Sequence, residues 1–444
     1  MPAMEPHPVL LEKLNAGLEP ARLPQLTPRD ARLPKVAGKA HAVIGMRRVG
    51  KTTFLRQMQR EWQQAVGPER AIYISFDDDR LADVPLAELD RLLEEYYRRF
   101  PSLRSHETVY WLFDEIQGVP GWERFVRRIL DTERVEVVVS GSSARLLSRE
   151  VHTSLRGRSM ETVIRPFSFR EFLRHRGEEP EKSPARFTAA ERSLVEKRFG
   201  EYLVEGGFPE AQGLTAELRT ELLQGYVTTL LLRDVVERYG ITQVAALRWL
   251  VRQCLRNPAG SFSVHRFSLD LRSQGLGIAK DALHALLGHL EDAFLVHAVP
   301  LSTDSERRRN SNPRKIYPSD PGLIRAFDVS RRAHLGHALE TVVMVELARR
   351  KAELGYVKTR DGYEADFHAR FPDGREELIQ VCADPTGSEA RERELRALNA
   401  AVGEFPHATP RLLVLNRDQA LALRSHAPVA QPTYAWLLED GGEG

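Results

Sequence analysis

The segment Gly45-Met-Arg-Arg-Val-Gly-Lys-Thr52 constrains this chain more than any other stretch of it. Its two glycines let successive backbone N–H groups turn inward on a single anion, and the Lys and Thr that follow add a long cation and a hydroxyl. Such a loop works only between a strand and a helix. Both are written in the flanks: His41-Ala-Val-Ile is a short apolar run, and Thr52-Thr-Phe-Leu-Arg-Gln-Met has helical character. The reading is a phosphate-binding loop in which Gly45, Arg48, Val49, Gly50, Lys51, Thr52 and Thr53 surround ATP. Lys51 reaches the β- and γ-phosphates, Thr52 offers its hydroxyl to Mg²⁺, and the helix it opens points its positive end at the anion.

A second motif gives the loop something to do. Val109-Tyr-Trp-Leu-Phe-Asp114-Glu115 is an apolar strand that ends in two adjacent carboxylates. Phosphoryl transfer depends on positioning and charge neutralisation, so Asp114 is assigned to the metal and Glu115 to the attacking water. That pairing predicts ATP hydrolysis in addition to binding. Ser140 closes a third apolar strand, Val135–Ser140, where its hydroxyl is a candidate sensor of the γ-phosphate; a plain strand end is the competing reading. Arg156 and Arg158 are candidates to stabilise charge in the transition state, within their own subunit or on a neighbour's nucleotide. Ala71–Phe76, Thr108–Phe113 and Val135–Ser140 alternate with helical spacing, which predicts a buried parallel sheet.

The chain has 444 residues, too many for one ordinary core. Its pattern divides into an irregular lead-in (1–38) with a short helix at Val9–Ala16, the nucleotide core (39–166), a charged helical unit (167–240), a small helical unit ending in a strand (241–318), and a last α/β unit (319–444). The fourth of these, with Phe294–Val299 as the strand, fits a winged helix. The last carries a long helix at Leu335–Leu354. With 64 basic against 62 acidic residues there is no global field for nucleic acid, so any such contact must be local. The chosen candidates are Lys280 on the second helix of a helix-turn-helix, and Arg307, Arg308, Arg309, Arg314 and Lys315 beyond it; a solvated loop is the alternative for that basic run. Cys254 and Cys382 lack metal or redox spacing and are expected as reduced thiols. No apolar run is long enough to span a bilayer and no secretory pattern opens the chain, so the expected location is the cytoplasm.

Gly45 to Thr53, Leu112-Phe-Asp-Glu-Ile-Gln117, Ser140-Gly-Ser-Ser-Ala-Arg-Leu-Leu147, Leu155-Arg-Gly-Arg158 and Arg165-Pro-Phe-Ser-Phe-Arg-Glu-Phe172 together resemble prokaryotic AAA+-type ATPases of the AAA domain 14 kind. Tyr202-Leu-Val-Glu-Gly-Gly-Phe-Pro209, Leu232-Arg-Asp-Val-Val236 and Lys315-Ile-Tyr-Pro-Ser-Asp-Pro-Gly-Leu323 extend the resemblance over nearly the whole chain. It implies an AAA+-like P-loop core, a helical lid, a winged helix, and a C-terminal domain of unknown function similar to restriction-endonuclease-like nucleases. Glu340 and Asp366 fit the first two places of such a nuclease site. Gln380 and Cys382 stand where a carboxylate and a lysine are needed, so the site reads as degenerate and inactive unless Glu346, Glu364 or Glu377 replaces the missing charge. The functional expectation is a Mg²⁺-dependent ATPase that binds DNA, including branched DNA, and remodels or translocates on it as a homo-oligomer, with a ring as one arrangement. The rival is an ATP-controlled switch acting on a protein partner; an active nuclease is third.

Overall fold

The computed structural model describes residues 6–21, 26–141, 155, 157–328, 335–385, 387–423 and 430–439. The chain divides into two compact units, Met1–Arg165 and Pro166–Gly444. The first is built on β1 (Ala40–Ile44), β2 (Ala71–Ser75), β3 (Val109–Asp114), β4 (Val135–Ser140) and β5 (Ser159–Val163). All pairings are parallel and the order is β2-β3-β4-β1-β5. Parallel strands need crossovers, and the sequence supplies them as helices with one apolar stripe each. Those helices are α2 (Lys51–Val66), α3 (Leu86–Arg99) and α4 (Trp122–Thr132), while α1 (Pro8–Leu18) precedes β1. In α4 the buried stripe is Trp122, Phe125, Val126 and Ile129, the 3.6-residue repeat of a face laid on a sheet.

The lead-in is not separate from this core. Leu10 and Leu14 of α1 are fully buried, and α1 packs on β2 so closely that a Cβ on Gly17 would lie 2.7 Å from the Tyr73 carbonyl oxygen. The short helix expected at Val9–Ala16 is present as Pro8–Leu18, and its apolar face covers the sheet.

In the second unit, the helices Phe169–His175 and Ala189–Glu205 both open with capping boxes, Ser168 with Glu171 and Thr188 with Glu191. Ala216–Leu230 runs on into a π-helical stretch, Leu231–Glu237. Next come helices Val244–Arg256, Val264–Ser273 and Lys280–Asp292 with a three-stranded antiparallel sheet, β6 (Ser261–Phe262), β7 (Val296–Val299) and β8 (Arg314–Pro318), ordered β6-β8-β7. A five-stranded mixed sheet follows: β9 (Glu353–Lys358), β10 (Glu364–Arg370) and β11 (Glu376–Cys382) are antiparallel, and β12 (Thr409–Val414) and β13 (Ala430–Pro432) extend it in parallel. The preceding helix, expected to reach Leu354, stops at Arg349, because Lys351 turns with a left-handed φ of 60° and β9 begins two residues later. Leu339, Val343 and Leu347 of that helix join Phe367, Ile379 and Leu413 in one core, while Leu398 and Ala401 of the Ser388–Glu404 helix meet Leu378, Leu412 and Val414 in another. Cys254 and Cys382 are both buried in this unit, and burial pushes the Cys382 thiol up to about 11. Among the described residues no helix is long and apolar enough to cross a membrane.

Two polar nodes hold the second unit together. At the first, Asp320 caps the Pro321–Phe327 helix: one carboxylate oxygen accepts from the Gly322 N–H at 2.8 Å and the other from the Gly207 N–H at 2.7 Å. Burial raises the Asp320 carboxyl to about 7, against the pull of those two donors. Gly206 has φ of 75°, and a Cβ there would lie 1.9 Å from the Asp320 carboxylate, so no other residue fits.

At the second node the Lys315 ammonium of β8 lies 3.5 Å from Glu340, 2.9 Å from Glu364 and 3.1 Å from Asp366, and the Tyr317 hydroxyl donates to Glu340 at 2.6 Å. Burial works against the Lys315 charge, but the three carboxylates outweigh it and hold the ammonium protonated well above the usual lysine range. Glu340 is pushed up to about 8 by burial and by Asp366. One ammonium thus ties the small sheet to the terminal sheet through buried charge.

Gly206→Ala should destabilise the second unit by roughly 2–4 kcal/mol, through the disallowed backbone and the displaced carboxylate, read as a lower denaturant midpoint. Lys315→Met, which leaves the carboxylates facing one another, should cost about 3–5 kcal/mol in the same experiment; adding Glu340→Gln to it should recover part of the loss.

Candidate nucleotide site

Strand polarity builds the site. Because all five strands are parallel, the loop after β1, the carboxylates at the end of β3 and the hydroxyl at the end of β4 emerge on one edge of the sheet. Val43 of β1 is level with Ser140 of β4, and Phe113 of β3 is level with Val139, so Asp114 and Ser140 meet one residue further on. The loop is wound by three left-handed or mirror-region residues: Gly45 (φ 149°), Arg48 (φ 67°) and Gly50 (φ 95°). A Cβ on Gly45 would lie 2.1 Å from the Ile164 carbonyl oxygen, just beyond β5, so β5 and the loop touch backbone to backbone there. Gly50 caps α2, and Lys51 opens it. The Lys51 ammonium sits inside the turn, 3.0 Å from the Gly45 carbonyl and 2.9 Å from that of Met46. Thr52 is exposed on the first turn of the helix. A helix N-terminus, a ring of backbone N–H groups, one cation and one free-standing hydroxyl fit a nucleoside triphosphate with its divalent ion.

Asp114 is 2% exposed, and both its oxygens are engaged by hydroxyls: Tyr73 of β2 donates to one at 2.6 Å, and Ser140 of β4 donates to the other. Burial and the Asp114 charge hold the Tyr73 phenol far above its ordinary pKa, so it remains a donor at every working pH. Ser140 also accepts from the Glu115 N–H at 3.3 Å. Its hydroxyl therefore joins the Asp114 carboxylate to the Glu115 backbone N–H. Glu115 takes a left-handed turn (φ 54°), its carboxylate is half-buried, and Gln117 donates to it. Two residues escaped the sequence reading. Arg29, buried in the lead-in, donates to the Val49 carbonyl at 2.8 Å and to that of Arg165, clamping the loop to the segment after β5. Tyr73 was read only as a strand residue, yet its strand parity on the neighbour of β3 marked it as able to reach Asp114.

The arginine candidates fare differently. Arg156 lies outside the described residues. Arg158 precedes β5, whose first residue pairs with Ala40, the first of β1. It thus stands at the opposite edge of the sheet, about 16 Å from the loop at 3.3 Å per residue, and is ion-paired with Asp131. A role for Arg158 on its own subunit's nucleotide is ruled out by that polarity.

Of the basic residues nominated for nucleic acid, Lys280, Arg307 and Arg308 are exposed. Arg309 is turned onto the Thr303 carbonyl at 3.1 Å, and Arg314 lies 3.8 Å from Glu291. Lys315 must be withdrawn from this group: it is 4% exposed and closed in by Glu340, Glu364 and Asp366. A lysine in a basic run was taken for a surface residue because its partners lie far along the chain.

The helix Leu335–Arg349 and strand β10 bring Glu340 and Asp366 to that same ammonium. Of the substitutes considered for the third position, Glu346 pairs with Arg349 and Arg350 and Glu377 with Arg411, whereas Glu364 touches Lys315. The carboxylate beside Gln380 is Glu394, which accepts from its amide. Among the described residues no group of three or more His, Cys, Asp or Glu is arranged to hold a metal ion.

Residues 37–173 match a family described as an AAA domain, and residues 196–333 match a domain of unknown function, DUF8612. The uncharacterized protein MJ1544 of Methanocaldococcus jannaschii is 33% identical over 394 residues, which cover 88% of this chain and 84% of its own. An uncharacterized protein of Haemophilus influenzae is 30% identical over 334 residues, 74% of this chain and 79% of its own. Among solved structures, the Walker-type ATPase PABY2304 of Pyrococcus abyssi aligns with a TM-score of 0.39 at 17% identity, over 72% of this chain and 95% of that one. By the AAA domain at residues 37–173 and its likeness to MJ1544 over 88% of its length, the chain belongs to a family of P-loop ATPases.

Proposed function

We propose that this protein is a Mg²⁺-dependent ATP hydrolase that binds DNA and uses turnover to remodel it or move along it. The observation that carries the hydrolytic part is the meeting of three strand ends at the loop, where Asp114 is fixed by Tyr73 and Ser140 while Glu115, next along the chain, accepts from Gln117. Thr52 and Asp114 are the residues to hold Mg²⁺, which supplies charge neutralisation on the phosphates. With both its oxygens already accepting hydrogen bonds, Asp114 is suited to hold the ion through water. Lys51 draws the β- and γ-phosphates into the turn. Glu115 orients the attacking water and takes its proton, and its fixed backbone turn sets the direction of attack. Arg156 and Arg158 are the arginines available to act on a neighbouring subunit's nucleotide in a homo-oligomer.

Support for DNA comes from the second unit. Three helices with a small antiparallel sheet, in the chain order helix, β6, helix, helix, β7, β8, have the order of a winged helix, with Lys280 exposed at the start of the third helix and Arg307 and Arg308 exposed between β7 and β8. The experiment is phosphate release from Mg²⁺-ATP with and without single-stranded, duplex and branched DNA. Stimulation supports DNA-coupled turnover. DNA-insensitive turnover without binding at low salt sinks it and leaves an ATP-controlled switch for a protein partner.

Lys51→Ala and Glu115→Gln should each lower phosphate release by about 10²–10⁴-fold, with nucleotide binding lost in the first and retained in the second. Ser140→Ala should raise the Mg²⁺ concentration for half-maximal activity by roughly 10- to 100-fold, and Tyr73→Phe should act in the same direction, because both remove a donor that orients Asp114. In a salt titration of duplex binding, the Arg307→Ala/Arg308→Ala pair should reduce the slope of log affinity against log salt by about 2.

A further inference from the structure

The helix Val244–Arg256 has two unlike faces. Ala246, Leu247, Leu250, Val251, Cys254 and Leu255 are buried. The outer face presents Arg248, Trp249, Arg252 and Arg256, with no Asp or Glu anywhere in the helix. Trp249 is 44% exposed, although an indole is among the side chains that gain most from burial. No hydrogen bond or ion pair within the described residues engages Arg248 or Arg252, in a chain whose exposed arginines are otherwise widely paired with carboxylates. Arg256 makes one bond, to the Phe327 carbonyl at 3.2 Å. The three arginines recur every fourth residue, so they form a single row about 6 Å apart along the axis with the indole beside it. The helix Lys280–Asp292 makes the contrast: its exposed Lys280 and His284 stand beside Asp281, which leaves that face close to neutral.

We propose that this row is a contact for single-stranded DNA, with Trp249 stacked on an unpaired base and Arg248, Arg252 and Arg256 on the flanking phosphates. The inference rests on the DNA reading above and places the contact on the first helix of the module. Charge complementarity favours a polyanion: one strand neutralises all three cations, and a sequence-tolerant stacking surface is what an isolated exposed indole offers. A protein interface would need further apolar area around the indole, and the rest of this face is arginine, glutamine and alanine. The preference for a single strand follows from the indole, because bases in a duplex have their faces already covered.

The test uses the full chain and a labelled oligothymidine strand, with a duplex of the same length alongside. Trp249→Ala should weaken oligothymidine binding roughly 5- to 150-fold while leaving the melting temperature and basal ATP turnover unchanged, and Trp249→Phe should restore much of the loss. Arg248→Ala/Arg252→Ala should lower the salt slope on the single strand by about 1.4. Wild-type affinity and slope in both variants would overturn the assignment; if Arg307→Ala/Arg308→Ala then abolished binding, the DNA reading would stand on another surface. A wild-type protein that binds no oligonucleotide at low salt would overturn both.

Discussion

Asp114 is buried between two hydroxyls, Tyr73 from one neighbouring strand and Ser140 from the other, and this three-strand contact sets the geometry of the ATPase unit. It requires β3 to lie between β2 and β4, as the sheet order places it. With β4 interposed, the carboxylates that end β3 stand two strands across from the loop after β1. The tight contact of Gly45 with the Ile164 carbonyl fixes the loop from the other side, and Arg29 closes it from the lead-in. Local rules wind the loop, but its function depends on strands that arrive from more than sixty residues away.

That difference explains which parts of the site were legible in the sequence. The loop, β3 and its two carboxylates are local patterns, and periodicity with spacing is enough to recognise them. Whether Arg158 serves its own subunit or a neighbour was not legible, because an arginine's neighbourhood in sequence says nothing about which edge of a parallel sheet it occupies. Lys315 was misjudged for a similar reason: its partners Glu340, Glu364 and Asp366 follow it by 25 to 51 residues, so the basic run around it looked like open surface. Arg29 and Tyr73 were missed because a single polar residue in an irregular or apolar stretch carries no pattern. The Val244–Arg256 helix was legible as amphipathic, but that its outer face holds unpaired arginines around a bare indole depends on which acids do not reach it.

The terminal sheet shows how a set of acidic groups persists without an ion. Glu340 and Asp366 are held at positions where burial alone would favour their neutral forms, and the Lys315 ammonium from β8 supplies the compensating charge. Gln380 and its neighbour Glu394 form a hydrogen-bonded pair rather than two repelling carboxylates. The result is a self-neutralised interior, in which acids that suit a metal site in composition are used to attach one sheet to another.

The placement of the two thiols gives the second unit a reporter that the first lacks. Cys254 lies under the helix with the arginine row, and Cys382 ends the central strand of the terminal sheet; both are buried, and the Met1–Arg165 unit contains no cysteine at all. A thiol-specific reagent therefore reacts only when a segment of Pro166–Gly444 opens, at a rate set by the free energy of that opening. The two sites sample different layers of that unit, so their relative labelling would separate loosening of the small helical module from loosening of the terminal sheet, with the nucleotide-binding unit silent throughout.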